Sequence, residues 1–148
     1  MTLLTRPLIT LEVEVGTLVH VDTNPNGRRF IPITGGRVEG SLSGKVLPGA
    51  DWQTSWPDGR LEIDAHYALE IDGHGIVEVS SQGVRHGPPE ILAALAKGGP
   101  VDASLYYFRT SMRFRTAAPG LQHLNAMLAI AKGAREKGVV RLTVFEIC

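Results

Sequence analysis

The sequence predicts an all-β fold, mainly antiparallel, that closes or nearly closes into a barrel of about eight to ten strands with one short helix. One observation behind this prediction is a long stretch of alternating apolar and polar residues at positions 61–71. A second is the regular spacing of glycines and prolines, which separate short segments rich in Val, Ile, Leu, Thr and Tyr. A barrel is favoured because closure removes the exposed edges of a large antiparallel sheet.

The stretch 61–71 predicts the clearest strand. Apolar side chains, Tyr67 among them, occupy one face, and polar side chains occupy the other face with the exception of Ala68. A period of two over this length is typical of a strand and not of a helix. The turn formers at 72–75 then lead into a second strand at 76–84, so the two segments predict an antiparallel hairpin.

The other elements follow from similar patterns. Further strands are predicted at residues 8–15, 29–38, 42–47, 104–116, 126–132 and 138–147. A helix is predicted over 88–98, because prolines open it and Gly98-Gly99-Pro100 stops it, and a helical turn is predicted at 121–125.

Glycines and prolines mark irregular points in these strands. Gly35-Gly36 indicates a bulge, or a place where another backbone approaches closely. Pro48-Gly49 breaks the third strand, and residues 50–56 continue it after a kink. The cluster of turn formers at 23–27 predicts a turn.

Composition limits the classes of function. The 148 residues suit a single domain spanning 1–148. Fifteen basic and fifteen acidic residues balance, which argues against nucleic acid or an anionic membrane as a partner, and leaves little self-repulsion against oligomerisation. Cys148 stands alone, so no internal disulfide is expected, and with no leader or membrane-length apolar run we expect a cytoplasmic protein.

Short blocks spread over nearly the whole chain resemble one bacterial family, domain of unknown function 3237, also called UPF0311. The blocks are Gly27-Arg28-Arg29, Gly35-Gly36, Val46 to Trp52, Asp58-Gly59, Asp64 to Tyr67, Gly83 to Pro88, Tyr106 to Arg109 and Leu124-Asn125. The resemblance implies a small-molecule β-barrel that commonly self-associates, so a homodimer is expected, and it implies no known reaction. His66 stands where the family more usually has arginine.

Asp51 and Trp52 form the first candidate site. A carboxylate beside a large aromatic residue, just after a Pro-Gly kink, suits the mouth of a barrel, where burial raises the pKa of a carboxyl group. Asp51 would then act as a general base, with Trp52 and Tyr67 as walls of the pocket. The alternative is that Asp51 caps the turn and Trp52 packs in the core.

Asp64 and His66 form a second candidate pair, on the face of their strand opposite Tyr67. Residues two apart on a strand face lie about 7 Å apart, which suits an acid and an imidazole that act on one substrate. The alternative is that both side chains lie on a solvated outer face while Tyr67 points inward.

Several polar residues are candidate ligand anchors. Arginine offers a fork of donors that suits a carboxylate or an oxyanion. The candidates are Arg85, Tyr107, Arg109, Arg113 and Asn125. Alternatively, the candidates within 107–113 form a solvent-facing row, Arg85 holds together the corner where a strand meets the helix, and Asn125 caps a helix end.

These candidates predict a cofactor-independent enzyme. It would catalyse acid/base chemistry of the isomerase, cyclase, hydratase or lyase type on a small apolar or aromatic carbonyl, phenol or carboxylate compound. Asp51 or Asp64 would be the base, His66 an acid, and Arg109 or Arg85 the oxyanion stabiliser. No metal is expected, because the histidines form no ligand motif. The alternatives are a small-ligand-binding protein without turnover and a dimeric assembly module.

Overall fold

The sheet closes on itself, because the first strand pairs with both the last strand and the third. The computed structural model describes residues 1–22 and 26–148. Within them the strands are β1 (Thr5–Val15), β2 (Val19–His20), β3 (Gly27–Gly40), β4 (Gly44–Ser55), β5 (Leu61–Ile71), β6 (Gly75–His86), β7 (Tyr107–Arg115), β8 (Ala129–Glu136) and β9 (Val139–Ile147). Eight of them form a closed antiparallel barrel, and β2 adds to the edge of β3. The predicted fold class is therefore confirmed.

Strict alternation along β5 places its apolar residues inside the barrel. Leu61, Ile63, Ala65, Tyr67 and Leu69 are each no more than 7% exposed, while the residues between them face outward or are only partly covered. The same alternation continues on β7, where the even-numbered side chains are buried, and on β1 and β9. Burial of these inward rows from every side of the barrel forms one continuous apolar core.

The hairpin, the helix and the helical turn lie where the sequence predicts them. β5 and β6 pair in one unbroken register, from Leu61 opposite Arg85 to Ile71 opposite Gly75. Helix α1 (Pro89–Ala96) packs Leu95 into the core, and a 3₁₀ turn covers Gln122–Ala126. None of the helices among the described residues is long and apolar enough to span a membrane.

Strand boundaries differ from the prediction at several places. β7 begins at Tyr107 and not at residue 104, because Ala103–Leu105 form a 3₁₀ turn, and β8 begins at Ala129 and not at residue 126, because the other 3₁₀ turn extends to Ala126. β1 begins at Thr5 and not at residue 8, because its first residues pair with the end of β9. β4 is one continuous strand through Pro48-Gly49, where the sequence predicts a break. The short strand β2 was not predicted, and residues 23–25 of the predicted turn lie outside the described residues.

β3 and β4 each have a register shift close to glycines at which the sequence predicts irregular backbone. Along β4, Leu47 pairs with Ala68 but Ala50 pairs with His66, so β4 has one extra residue between these points. Along β3 the pairing with β1 shifts in the same region, between Ile33 and Gly35. The extra residue of β3 is Thr34, directly before the predicted position Gly35-Gly36, and the neighbouring strand has a bulge at the same level.

The close approach of β1 explains why glycine is needed at position 36. Gly36 has a φ of +141°, and a Cβ atom there would overlap the carbonyl oxygen of Glu12. Gly73, in the turn between β5 and β6, also has a positive φ of +76°, but no atom lies within 4 Å of the place a Cβ would take. Replacing Gly36 would therefore carry both a conformational and a steric cost, whereas replacing Gly73 would carry the conformational cost alone.

We expect Gly36→Ala to lower the free energy of unfolding by about 3 kcal/mol or more, because it combines the positive φ with the clash against β1. Gly73→Ala, the matched control, should cost only about 1 kcal/mol, since it has the φ penalty alone. Urea denaturation of both variants measures the difference. Equal losses would show that β1 does not approach the bulge as described.

Candidate functional site

The extra residue in β4 changes which side chains point into the barrel. Before the bulge Val46 points inward, with 3% of its surface exposed, so an unbroken strand would also turn Trp52 inward. After the bulge Gln53 is the buried residue, at 4% exposed, and Trp52 lies outside at 39%. Asp51, two residues before Gln53, therefore faces the interior.

Asp51 faces a chamber of about 310 Å³ at one end of the barrel. Helix α1 covers this end, and its Leu95 and Ala96 form part of the chamber wall. A smaller pocket of about 40 Å³ lies deeper in the barrel, beside Tyr67, and Asp51 and Phe108 border both spaces. The residues therefore form a polar chamber that continues into an apolar recess.

Hydrogen bonds hold one oxygen of Asp51 in place. The Gln53 side-chain amide donates from Nε2 to Asp51 Oδ2 over 2.7 Å. Arg29 in turn donates from Nε to Gln53 Oε1 over 2.9 Å. Since both hydrogen bonds are partly buried, together they fix the carboxyl plane of Asp51 relative to the barrel wall.

Three buried polar atoms at this site have no hydrogen-bond partner among the described residues. They are Asp51 Oδ1, Tyr67 Oη and Arg85 Nε. Nearly all buried polar groups in proteins are hydrogen-bonded, so unpartnered ones need an explanation. The three residues line two adjoining spaces and offer an acceptor, a hydroxyl and a donor, which fits a ligand with its own oxygen atoms.

Burial shifts the pKa values of these groups in directions that suit acid/base chemistry. Burial raises the pKa of Asp51 to about 6, although the Gln53 hydrogen bond, the interaction with the Asp64 backbone and the charge of Arg85 act the other way. Burial also raises the pKa of Tyr67, so this hydroxyl stays neutral and able to donate. The pKa of Arg85 falls to about 10, through burial and then through repulsion by Arg29 and Arg135.

Other predicted site residues gather on the outer surface. Trp52, Asp64, His66, Arg113 and Asn125 line an open groove of about 680 Å³ outside the barrel. This groove is larger than the interior chamber, but its carboxylates and imidazole have partners. His66 Nε2 lies 2.6 Å from Glu78 Oε2, and Asp64 Oδ1 accepts a hydrogen bond from Gln82 over 3.3 Å.

Asn125 and Trp52 take part in local packing on this outer side. The Asn125 side chain accepts from the backbone N–H of Thr116 and donates to the Thr116 and Gln122 carbonyls, so it ties the 3₁₀ turn to the end of β7. Trp52 packs 4.7 Å from the ring of Phe30. Both side chains therefore have structural partners at positions where the sequence predicts ligand contacts.

Tyr107 and Arg109 lie in a third place, also outside the barrel. The Arg109 guanidinium sits 5.1 Å above the Tyr107 ring, beside the loop that follows β6. β7 turns its even-numbered residues inward, so this odd-numbered row faces solvent. Of the predicted site residues, the structure thus brings Asp51, Tyr67 and Arg85 together at the chamber and its recess and places the others outside.

Sequence reasoning missed Arg29, Gln53 and Arg135, which line the interior chamber. Arg135 continues the inward row of small residues on β8, after Ala129, Ala131 and Gly133. That row is the signal that would have found it. Within the described residues no cluster of histidine, cysteine and carboxylate side chains is arranged to hold a metal ion.

Comparison with known proteins places the chain in a family. The model of the family described as "Protein of unknown function (DUF3237)" matches residues 4–147. The chain belongs to the DUF3237 family. Relatives named UPF0311 protein include one from Bradyrhizobium diazoefficiens, 40% identical over 99% of this chain and 97% of the relative. Another, from Rhodopseudomonas palustris strain TIE-1, is 42% identical over the same shares of both chains.

Solved structures of similar proteins have the same barrel. A conserved protein of unknown function from Rhodopseudomonas palustris superposes with a TM-score of 0.92 at 39% identity, covering 100% of this chain and 99% of that one. A β-barrel-like protein from Acinetobacter baumannii gives 0.84 at 36% identity, with 100% and 98% covered. A more distant neighbour from Penicillium herquei, at 17% identity and TM-score 0.75, covers 100% and 96% and shares the fold.

The raised pKa of Asp51 predicts a stability difference that depends on pH. The folded protein holds the Asp51 proton more tightly than the unfolded chain does, so stability falls as pH rises from about 4 to 6. Asp51→Asn removes this loss. We therefore expect the variant to be more stable than wild type at pH 7 by about 3 kcal/mol, and no more stable at about pH 3.5.

Urea denaturation at several pH values measures this difference. Asp72→Asn, at an exposed carboxylate beyond the end of β5, is the control and should show no such gain. If Asp51→Asn is less stable than wild type at pH 7, the result would contradict the burial of a carboxylate oxygen that lacks a partner among the described residues.

Proposed function

We propose that this DUF3237 protein is a cofactor-independent enzyme that moves a proton on a small carbonyl compound bound inside the barrel. The observation that carries the proposal is Asp51, a largely buried carboxyl group that lines the chamber and whose Oδ1 atom has no hydrogen-bond partner among the described residues. Its carboxyl group has a pKa of about 6, which suits a general base near neutral pH. The reaction class is isomerisation, with cyclisation, hydration and elimination as related outcomes of the same proton transfer.

The proposed first step removes a proton from a carbon next to the carbonyl group. Asp51 Oδ1 accepts the proton, while the C–H electron pair becomes the double bond of an enolate and negative charge develops on the substrate oxygen. The protonated Asp51 then returns the proton to a different atom of the substrate, which completes an isomerisation without any external oxidant or reductant. The Gln53 hydrogen bond keeps the reacting carboxyl group oriented during both transfers.

Tyr67 and Arg85 are the proposed stabilisers of the developing oxyanion. Among the described residues, the buried Tyr67 Oη has no hydrogen-bond partner, and the raised pKa keeps its proton in place. Arg85 Nε, which belongs to a cation, is a second donor without a partner in the same part of the chain. Donors placed in a water-poor cavity stabilise transition-state charge strongly, because they need no reorganisation during the reaction.

The proposal gives no step to Asp64, His66 or Arg109, because these side chains lie outside the barrel. Trp52, Tyr107, Arg113 and Asn125 also lie outside and have no proposed contact with this substrate. Enzymatic activity is compatible with the fold, since the Penicillium herquei protein that shares it is described as an enzyme. The expected homodimer stays a prediction, and the reaction proposed here does not depend on it.

Deuterium incorporation tests the proposed proton transfer directly. Phenylpyruvate and its neutral methyl ester both contain an acidic CH₂ group beside a carbonyl, and both have an aromatic body suited to the apolar side chains of the chamber wall. We expect wild-type protein in D₂O to exchange these protons faster than the background, with a rate that rises up to about pH 6 and then levels, because ionised Asp51 is the base. Proton NMR follows the loss of the CH₂ signal.

Asp51→Asn should lower the catalysed exchange rate by about 100-fold or more, the usual contribution of a general base. Asp72→Asn should retain the wild-type rate. A protein that binds without turnover would bind the probes but exchange no protons above background. Equal exchange by wild type and Asp51→Asn on both probes would contradict the enzymatic proposal.

A further inference from the structure

Three guanidinium groups border the interior chamber from different sides of the barrel. Arg29 comes from β3, Arg85 from β6 and Arg135 from β8, and all three line the space beside Asp51. Their mutual influence is visible in the pKa of Arg85, which falls to about 10 through burial and then through the positive charges of Arg29 and Arg135. The positive charges of Arg29 and Arg135 therefore both act on Arg85.

The acidic groups at this chamber do not balance these cations. Asp51 is the one carboxyl group among the residues that line the described chamber, so three positive charges face at most one negative charge. In the part of the chain that the structure describes, none of the three arginines forms an ion pair, because no carboxylate oxygen lies within 4.0 Å of their guanidinium nitrogens. Burying unpaired like charges is costly, and a bound anion would offset that cost.

Hydrogen-bonding capacity points the same way. The Arg85 Nε–H is buried without a partner among the described residues, although guanidinium groups bind carboxylates through paired N–H donors. The Arg29 Nε–H is already used by Gln53, and Arg135 Nη1 donates to the Val139 carbonyl over 3.4 Å, so both side chains are oriented by the barrel wall. The chamber thus presents fixed cationic donors to whatever occupies it.

The rest of the wall is apolar, which limits the kind of anion. Leu61, Ile63, Leu95 and Phe108 surround the arginines, and the deeper recess beside Tyr67 is lined mainly by aliphatic residues. Inorganic phosphate would leave these surfaces without contacts. An anionic group attached to an apolar body would use both parts of the space.

We propose that Arg29, Arg85 and Arg135 bind the carboxylate of a small organic acid, whose apolar body extends past Phe108 toward the recess beside Tyr67. The proposal deepens the function proposed above by naming the substrate class, and it rests on that function only for the chemistry that follows binding. The carboxylate would lie at the end covered by α1, and the reacting carbon would lie between it and the apolar body, next to Asp51.

Calorimetric titration with two unreactive probes tests the binding step. 3-Phenylpropionate and 3-phenylpropionamide have nearly the same shape, but only the first carries a charge. We expect the wild-type protein at pH 6 to bind the acid at least about 10-fold more tightly than the amide, because only the acid neutralises the arginine cluster. Equal affinities for the two probes would overturn the proposal without any variant being needed.

Variants locate the preference in the chamber. Arg85→Met keeps an unbranched side chain and removes one of the three charges, and it should lower the acid-to-amide affinity ratio by at least about threefold while the amide affinity changes less than about twofold. Arg115→Gln, at an exposed arginine on the outside of β7, is the matched control and should leave the ratio unchanged. If Arg85→Met does not fold, Arg135→Gln replaces it, and an unchanged ratio in the folded variant would overturn the proposal.

Failure of this inference and failure of the enzymatic proposal give different results. If the acid is preferred but neither phenylpyruvate nor its ester exchanges protons in an Asp51-dependent manner, the chamber binds organic acids without the proposed chemistry. If exchange depends on Asp51 but the acid and the amide bind equally, the chemistry stands and the carboxylate site is wrong. The unreactive probes make this separation possible, because their binding involves no proton transfer.

Discussion

A one-residue register shift in β4 determines which of its side chains point into the barrel. Strand pairing fixes the direction of every side chain, because alternate residues on a strand point to opposite faces. The extra residue near Pro48-Gly49 reverses that alternation along β4, so Asp51 points inward and Trp52 points outward. Gly49 fits there because a Cβ atom would lie 2.7 Å from the Cβ of Tyr67, so the two strands pass too closely for a side chain.

The polar interior at one end of the barrel follows from this shift and from the strands around it. β4 contributes Asp51 and Gln53, while β3, β6 and β8 each contribute an arginine to the same chamber. The remainder of the interior is apolar and closely packed, with residues such as Leu11, Val79 and Val144 fully buried. Apolar packing in the rest of the barrel stabilises the fold. This stabilisation offsets the cost of burying charged groups at one end. Such local departures from the usual pattern are typical of functional sites.

The sequence predicts the fold well because its strongest signals are local. Alternation along 61–71 needs no knowledge of neighbouring strands, and the paired glycines at 35–36 mark a bulge through their backbone requirements alone. The same alternation already offered the alternative that Asp64 and His66 face solvent, opposite an inward Tyr67. That is where the structure places them.

The site is harder to predict because it depends on non-local pairing. The reversal along β4 becomes visible only when its register with β5 is known, although the Pro-Gly kink did draw attention to Asp51. Arg29 and Arg135 were missed because charged side chains normally face outward, so an inward arginine contradicts the general expectation. No local pattern shows that three distant strands bring their arginines to one chamber.

The position of Asp51 inside the barrel is the central claim, and a ¹³C NMR titration of its carboxyl group tests it most directly. Protein labelled at the aspartate carboxyl carbons would be titrated without ligand, and the Asp51 signal would be assigned from its absence in Asp51→Asn. Enclosure beside the arginine-lined chamber predicts a midpoint at about pH 6. A midpoint at about 3.9, the ordinary value for aspartate in water, would show that Asp51 is solvated and would contradict the account.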